Sequence, residues 1–231
     1  LHKEYRRQRQ MCIETEQPDK AIDAFIEIVK LDPETAELHF ALGNLFRRRG
    51  ETERAIRVHQ NLLARPDLPL EHKVHAQYEL GQDYLNAGLL DRAEETFNQL
   101  IDTQYGAQAR RALLEIYQRE KEWERAIQAA HALQESGAGG RQKEIAQFYC
   151  ELAQDELVHT HPDAAITLLE KALAADRKSV RATILLGDAQ LAQGDTELAL
   201  LTWRRVGIKA VSYTHLRAHE TREHIVCRLL L

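Results

Sequence analysis

No stretch of this 231-residue chain approaches the roughly 20 consecutive apolar residues that a membrane-spanning helix needs, and no signal peptide opens it. The chain begins at Leu1 rather than at a methionine, so these absences describe this stretch and not a longer parent. Cysteine is scarce. Cys12, Cys150 and Cys227 lie far apart and form no C-x-x-C pair, which points away from a zinc ribbon or a disulfide framework and toward a reducing compartment. Basic residues are interleaved with acidic ones at a formal charge of -5. With no sustained basic block to neutralise phosphates, nucleic acid is not an expected partner. Among eleven histidines and many carboxylates there is no His-Glu-x-x-His run and no paired-acid arrangement, so the chain offers no catalytic constellation and no metal site. It is expected not to be an enzyme, and this stretch is expected to be soluble.

What is abundant is helix former. The five prolines and eleven glycines punctuate long stretches rich in Ala, Leu, Glu, Gln and Arg, and an all-α protein follows. Within it a token recurs: a charged pair or near-pair, then Ala, then in most copies an apolar residue. The alanines are Ala21, Ala55, Ala93, Ala126, Ala165 and Ala199, spaced by 34, 38, 33, 39 and 34 residues. The two longer steps contain Pro66-Asp67-Leu68-Pro69 and Gly137-Ala138-Gly139-Gly140, both turn chemistry. Leu42-Gly43, Leu80-Gly81 and Leu186-Gly187 put a glycine 12 residues before an anchor alanine, and Gly50, Gly88 and Gly194 close the first helix of each pair.

This spacing resembles the tetratricopeptide repeat: small residues at positions eight and twenty, an aromatic at eleven, a bulky residue at twenty-four. It implies a solenoid of about six helical hairpins forming a right-handed superhelix with a concave groove. Small residues let paired helices approach closely, while Phe25, Phe97 and Trp203 are expected to fill the gap to the next hairpin. Helices are predicted near 3–15, 18–30, 36–49, 52–64, 71–87, 90–102, 107–119, 122–134, 142–158, 162–175, 179–193 and 196–207. The fourth hairpin is weaker, with Leu114 where Gly is usual and Lys121 at the turn. The repeat domain is expected over 1–208. Residues 209–231, with no anchor after Val211, read as a foreign or disordered tail.

Several motifs have plainer readings. His161-Pro162-Asp163 is the tripeptide of J-domain co-chaperones, but proline at a first turn and Asp near an N-terminus are ordinary helix-start chemistry. The Gly137–Gly140 run lacks a preceding strand and the Lys and Ser/Thr of a phosphate loop. Arg47, Arg48, Arg49, Arg54 and Arg57 alternate with Glu51 and Glu53, as a solvated, ion-paired face does. His215, His219 and Cys227 are the only metal-ligand spacing in the tail, and it is read as incidental.

Beyond the generic pattern, Leu42-Gly43-Asn44-Leu45-Phe46-Arg47, Leu80-Gly81-Gln82-Asp83-Tyr84, Phe97-Asn98-Gln99-Leu100 and Phe148-Tyr149-Cys150-Glu151-Leu152-Ala153 closely resemble the lipopolysaccharide assembly protein B family of Gram-negative bacteria. The resemblance covers about residues 1–208. It implies an adaptor on the cytoplasmic face of the inner membrane that helps the FtsH protease degrade the LpxC deacetylase, with lipopolysaccharide-transport proteins as further partners. It also implies an N-terminal membrane helix and a zinc-binding rubredoxin-like module outside this stretch, which itself is expected to hold no cofactor. The alternative is a co-chaperone or assembly scaffold clamping a peptide segment. For a carboxylate clamp, Asn44 fits, but Phe40, Glu79 and Ala112 stand where Lys, Asn and Arg are needed. If the first helix of each pair lines the groove, Phe40, Asn44, Arg47, Tyr78, Gln82, Arg111, Glu115 and Gln118 form a partner-binding strip. Phe40 and Tyr78 have a second reading as packing between hairpins.

Overall fold

The structure is a computed structural model, and it describes residues 26–27, 35–135 and 140–206. Most of the first hairpin, the Gly137–Gly139 part of the glycine run and the residues after Val206 lie outside the described residues, and with them Ala21, Phe25, Cys12, His215, His219 and Cys227. Ten α-helices and no strand occur among the described residues: α1 Ala36–Arg48, α2 Thr52–Leu63, α3 Leu70–Asn86, α4 Leu90–Asn98, α5 Gly106–Glu120, α6 Trp123–Glu135, α7 Gln142–Val158, α8 Pro162–Ala175, α9 Val180–Gln193 and α10 Thr196–Arg205. None is long and apolar enough to cross a membrane. The boundaries follow the predicted ones closely except at α4, which ends four residues early. There Thr103 turns the chain, its hydroxyl donating to the Leu100 carbonyl and accepting from the Tyr105 amide.

The chain divides into two compact units, with α1 to α5 in the first and α6 to α10 in the second. In the first, α1 to α5 each pack on the next, and α1 and α5 also touch α3. In the second, Trp123 stacks on Phe148 at 5.9 Å to join α6 to α7. From there α7 to α10 pack in succession over a core that includes Cys150, Ala153, Ala165, Leu169, Ala172, Ala182 and Ala189.

One turn is used five times. After α1, α3, α5, α7 and α9 a residue takes left-handed backbone: Gly50 (φ 78°), Gly88 (φ 74°), Lys121 (φ 59°), Thr160 (φ 62°) and Gly194 (φ 99°). The amide of the following residue donates five residues back, as in Glu51 to Phe46, Leu89 to Tyr84, Glu122 to Tyr117, His161 to Glu156 and Asp195 to Gln190, all near 2.9–3.0 Å. This is the Schellman motif, which satisfies carbonyls the helix end leaves unpaired. Glycine suits it because no Cβ meets the preceding carbonyl. Lys121 and Thr160 adopt it without that advantage, so the turn is imposed by the hairpin rather than by the residue.

The second rule is a notch and a key sixteen residues apart. A Cβ built on Gly81 would lie 2.8 Å from the Phe97 ring; one on Gly43 would fall inside the contact distance of His59, and one on Gly187 inside that of Trp203. Phe97 and His59 are fully buried. Each key fills the notch of its own hairpin, and His59 also reaches Asp83 in the next one. Each ring packs directly against the backbone at its glycine and takes the space a side chain there would need.

The starts of the last hairpin's helices carry side-chain caps. Ser179 Oγ accepts from the Ala182 amide at 3.3 Å and Asp195 Oδ1 from Leu198 at 3.0 Å, each replacing a bond the first turn lacks. His161-Pro162-Asp163 opens α8 with His161 at the N-cap and Pro162 in the first turn. His161 Nδ1 pairs with Glu156 at 2.9 Å, so the tripeptide is spent on a helix start.

Candidate functional site

The residues expected to face a partner sit on α1, α3 and α5 of the first unit, and the structure sorts them by availability. Phe40 is 6% exposed. Its ring meets His75 at 4.1 Å and is flanked by His59 and His72, each at 6.2 Å, in a core with Leu62, Leu68 and Ala76. This corrects the surface reading: α3 lays His75 across the Phe40 position, so the ring belongs to the packing between the hairpins.

Arg47 is likewise turned inward. Its guanidinium donates to Asp83 Oδ1 at 2.8 Å, Glu79 Oε2 at 2.5 Å and the Glu79 carbonyl at 3.1 Å, and also to Asn44 Oδ1. Asp83 is fully buried, and its other oxygen accepts from His59 Nδ1 at 2.5 Å. Glu79 also pairs with His75 at 3.3 Å. One charge-assisted network thus ties α1 and α2 to α3. Burial opposes ionisation of Glu79, but the hydrogen bonds from His75 and Arg47 and the positive charge of Arg47 outweigh it, holding its carboxyl at about 2. Arg47 is raised despite burial by the same two carboxylates. His59 Nε2, pressed against Gly43, has no hydrogen-bond partner among the described residues. Arg47 and Asn44 thus form a clasp between hairpins while each keeps partial exposure.

What remains open is the strip along α3 and α5. Arg111 and Glu115 are exposed, and Gln82 and Gln118 are partly exposed. Glu115 pairs with Arg119 at 2.5 Å, and Arg119 reaches back to the Leu85 carbonyl at 3.3 Å. Tyr78 stacks on Tyr105 at 4.8 Å and 13° between planes, and Tyr105 stacks on His75 at 5.7 Å and 14°. Tyr78 and Tyr105 are partly exposed. Tyr105, from the loop before α5, carried no repeat signal and was missed.

The arginine cluster behaves largely as its interleaved glutamates suggested. Arg49 and Arg54 pair with Glu51 at 3.0 and 2.5 Å, and Arg57 with Glu53 at 3.6 Å. Arg54 also lies 3.9 Å over the Phe46 ring. In the second unit Arg181 plays the part of Arg47, donating from α9 to Glu151 at 2.5 Å, Gln147 at 3.1 Å and Gln154 at 3.0 Å on α7. Cys150 is buried, and burial pushes its thiol up to about 11, away from nucleophilic or ligand chemistry. No cluster of three or more metal-ligating side chains occurs among the described residues.

The tetratricopeptide repeat family model matches residues 13–67, 78–141 and 150–212. Lipopolysaccharide assembly protein B of Escherichia coli (strain K12) is 46% identical over 191 residues, 82% of this chain and 49% of its own length. The Haemophilus influenzae protein of the same name is 33% identical over 210 residues, 86% of this chain and 52% of its own. The chain thus spans about half the length of the curated relatives it matches. Among solved structures, the MamA protein overlays with a TM-score of 0.48 at 22% identity, covering 82% of this chain and 98% of that one. With two relatives above 30% identity over most of its length and repeats along nearly all of it, the chain belongs to the lipopolysaccharide assembly protein B family, within its tetratricopeptide-repeat region.

Proposed function

We propose that this region is a non-catalytic adaptor surface that holds a segment of a protein partner against α3 and α5. The observation that carries the reading is the division of labour among the polar side chains. Arg47, Asn44 and Asp83 are engaged in holding hairpins together, while Arg111 and Glu115 stand exposed and Tyr78, Gln82 and Gln118 keep partial exposure beside them on neighbouring helices. Gln amides pair with the backbone of an extended segment, and Tyr and Arg are the residue types that most often supply binding hot spots.

Membership of the family supports the finer proposal. The partners are the FtsH protease and its LpxC deacetylase substrate, with lipopolysaccharide-transport proteins as further candidates. The outcome is control of lipopolysaccharide synthesis at the cytoplasmic face of the inner membrane. The test places Gln82→Ala, Arg111→Ala and Glu115→Ala together in a full-length family member carrying this repeat region, then follows deacetylase half-life in cells. A lengthened half-life with unchanged thermal midpoint is expected. Unchanged turnover with the fold intact removes this surface from the mechanism.

A further inference from the structure

We infer that the shelf formed by Tyr78 and Tyr105 takes a cationic side chain, arginine or lysine, from an extended segment of the protein partner. The inference rests on the adaptor reading above and names the chemistry of its ligand. Three rings make the shelf: Tyr105 lies nearly parallel to both His75 and Tyr78, and Tyr78 is braced edge-on by the buried Phe97 at 6.2 Å. A ring supported by its neighbours presents a fixed π-face, and such faces attract cations through their quadrupole.

The same unit shows how this chain treats other aromatic faces. Arg54 lies 3.9 Å over Phe46 and Arg92 5.9 Å over Tyr84, each an arginine eight residues after its ring. Among the described residues, Tyr78 and Tyr105 receive no such arginine from this chain. Arg47, near Tyr78, is already bound by Asn44, Glu79 and Asp83.

The local charge favours the same ligand. Glu71 stands exposed at the first turn of α3, whereas Glu79, one turn on from His75, is already engaged by Arg47 and His75, so the exposed carboxylate near the shelf is Glu71. The Tyr105 hydroxyl is raised by burial and by the carboxylates of Glu79 and Glu71. A partner carboxylate would meet that field unfavourably, and a neutral side chain would gain nothing from it.

The experiment uses the full 231-residue chain with ring-labelled tyrosine, followed by NMR. The probes are an acetylated Gly-Ser-Gly-Arg-Gly-Ser-Gly amide and its counterparts with citrulline or glutamate in place of arginine. The arginine peptide should shift the Tyr78 and Tyr105 signals and bind roughly three- to tenfold tighter than the citrulline peptide, the fold-change a partly desolvated cation–π contact supplies. Tyr105→Phe should keep that preference and Tyr105→Leu should erase it, with helical circular dichroism unchanged in both. Equal binding of arginine and citrulline peptides, no shift of either ring at millimolar peptide, or preference surviving Tyr105→Leu overturns the inference. The adaptor reading is judged separately: Tyr105→Leu without effect on deacetylase half-life, beside a lengthened half-life for the Gln82, Arg111 and Glu115 triple variant, sinks the shelf and leaves the adaptor standing.

Discussion

Replacing Thr160 by glycine should stabilise the protein, although it deletes a side chain and inserts the residue most costly to order. Thr160 is exposed and holds φ 62° at the turn between α7 and α8. For an L-residue left-handed backbone costs about 1–2 kcal/mol, and a β-branched side chain is among the worst suited to it. Glycine removes that strain but adds freedom to the unfolded chain worth about 0.4–1 kcal/mol. The hydroxyl's one bond, 2.6 Å to the carbonyl of the adjacent His159, is exposed and adds little. The difference is a gain of about 0.5–1 kcal/mol. The reciprocal change needs no new packing: a Cβ on Gly88 would meet nothing within 4 Å, so Gly88→Ala costs the strain of φ 74° less the unfolded-chain freedom that alanine removes, about 0.5–1 kcal/mol. Urea unfolding followed by helical circular dichroism, with hydrogen exchange of the α7 and α8 amides, reads both. If Thr160→Gly lowers the midpoint, or Gly88→Ala leaves it unmoved, the left-handed turn is not where these hairpins store strain.

Gly81→Leu and Ala93→Leu should each lose about 1–3 kcal/mol by overpacking, since the first would drive into the Phe97 ring and the second sits at a fully buried crossing, whereas Glu95→Leu on the exposed side of α4 should be nearly neutral; thermal midpoints of the three decide. Because Glu79 is held at about 2 in the folded protein against 4.5 for the free group, its contribution is complete above about pH 4.5 and drains away as pH falls toward 2. Glu79→Gln should therefore flatten the acid limb of a stability-versus-pH curve. Arg47→Ala removes the guanidinium that Glu79 and the buried Asp83 share and leaves them only His75 and His59, a change whose upper limit is the roughly 3–5 kcal/mol of breaking a buried pair; a loss below about 1 kcal/mol in urea unfolding would show the clasp to be ornamental.

The hairpins were legible because their signals are local. A small residue, a key sixteen positions on and a turn residue between them all fall within one repeat, so periodicity alone recovers the register, even where Lys121 and Thr160 replace glycine. The clasp was not legible. Arg47 and Asp83 are 36 residues apart, and nothing in either helix marks Asp83 as buried rather than solvated. Phe40 stands at a groove position by counting, yet whether it is covered depends on His75 in the next hairpin, a residue no repeat rule specifies. Tyr105 lies in an irregular loop, where period arguments have no purchase. The sequence therefore overstates the number of polar groups free for a partner.

The notch-and-key pairing has a consequence for how such chains evolve. Gly43 with His59, Gly81 with Phe97 and Gly187 with Trp203 are each complementary within a single hairpin. A duplicated or transplanted hairpin brings that fit along, although His59 is also tied to Asp83 of the next hairpin. The Arg47 clasp obeys the opposite rule, because its cation and its anions belong to consecutive hairpins. Recombination between those two hairpins would strand a buried Asp83, so the boundary after α2 is where shuffling is forbidden, while Gly81 with Phe97 and Gly187 with Trp203 can change together as matched pairs.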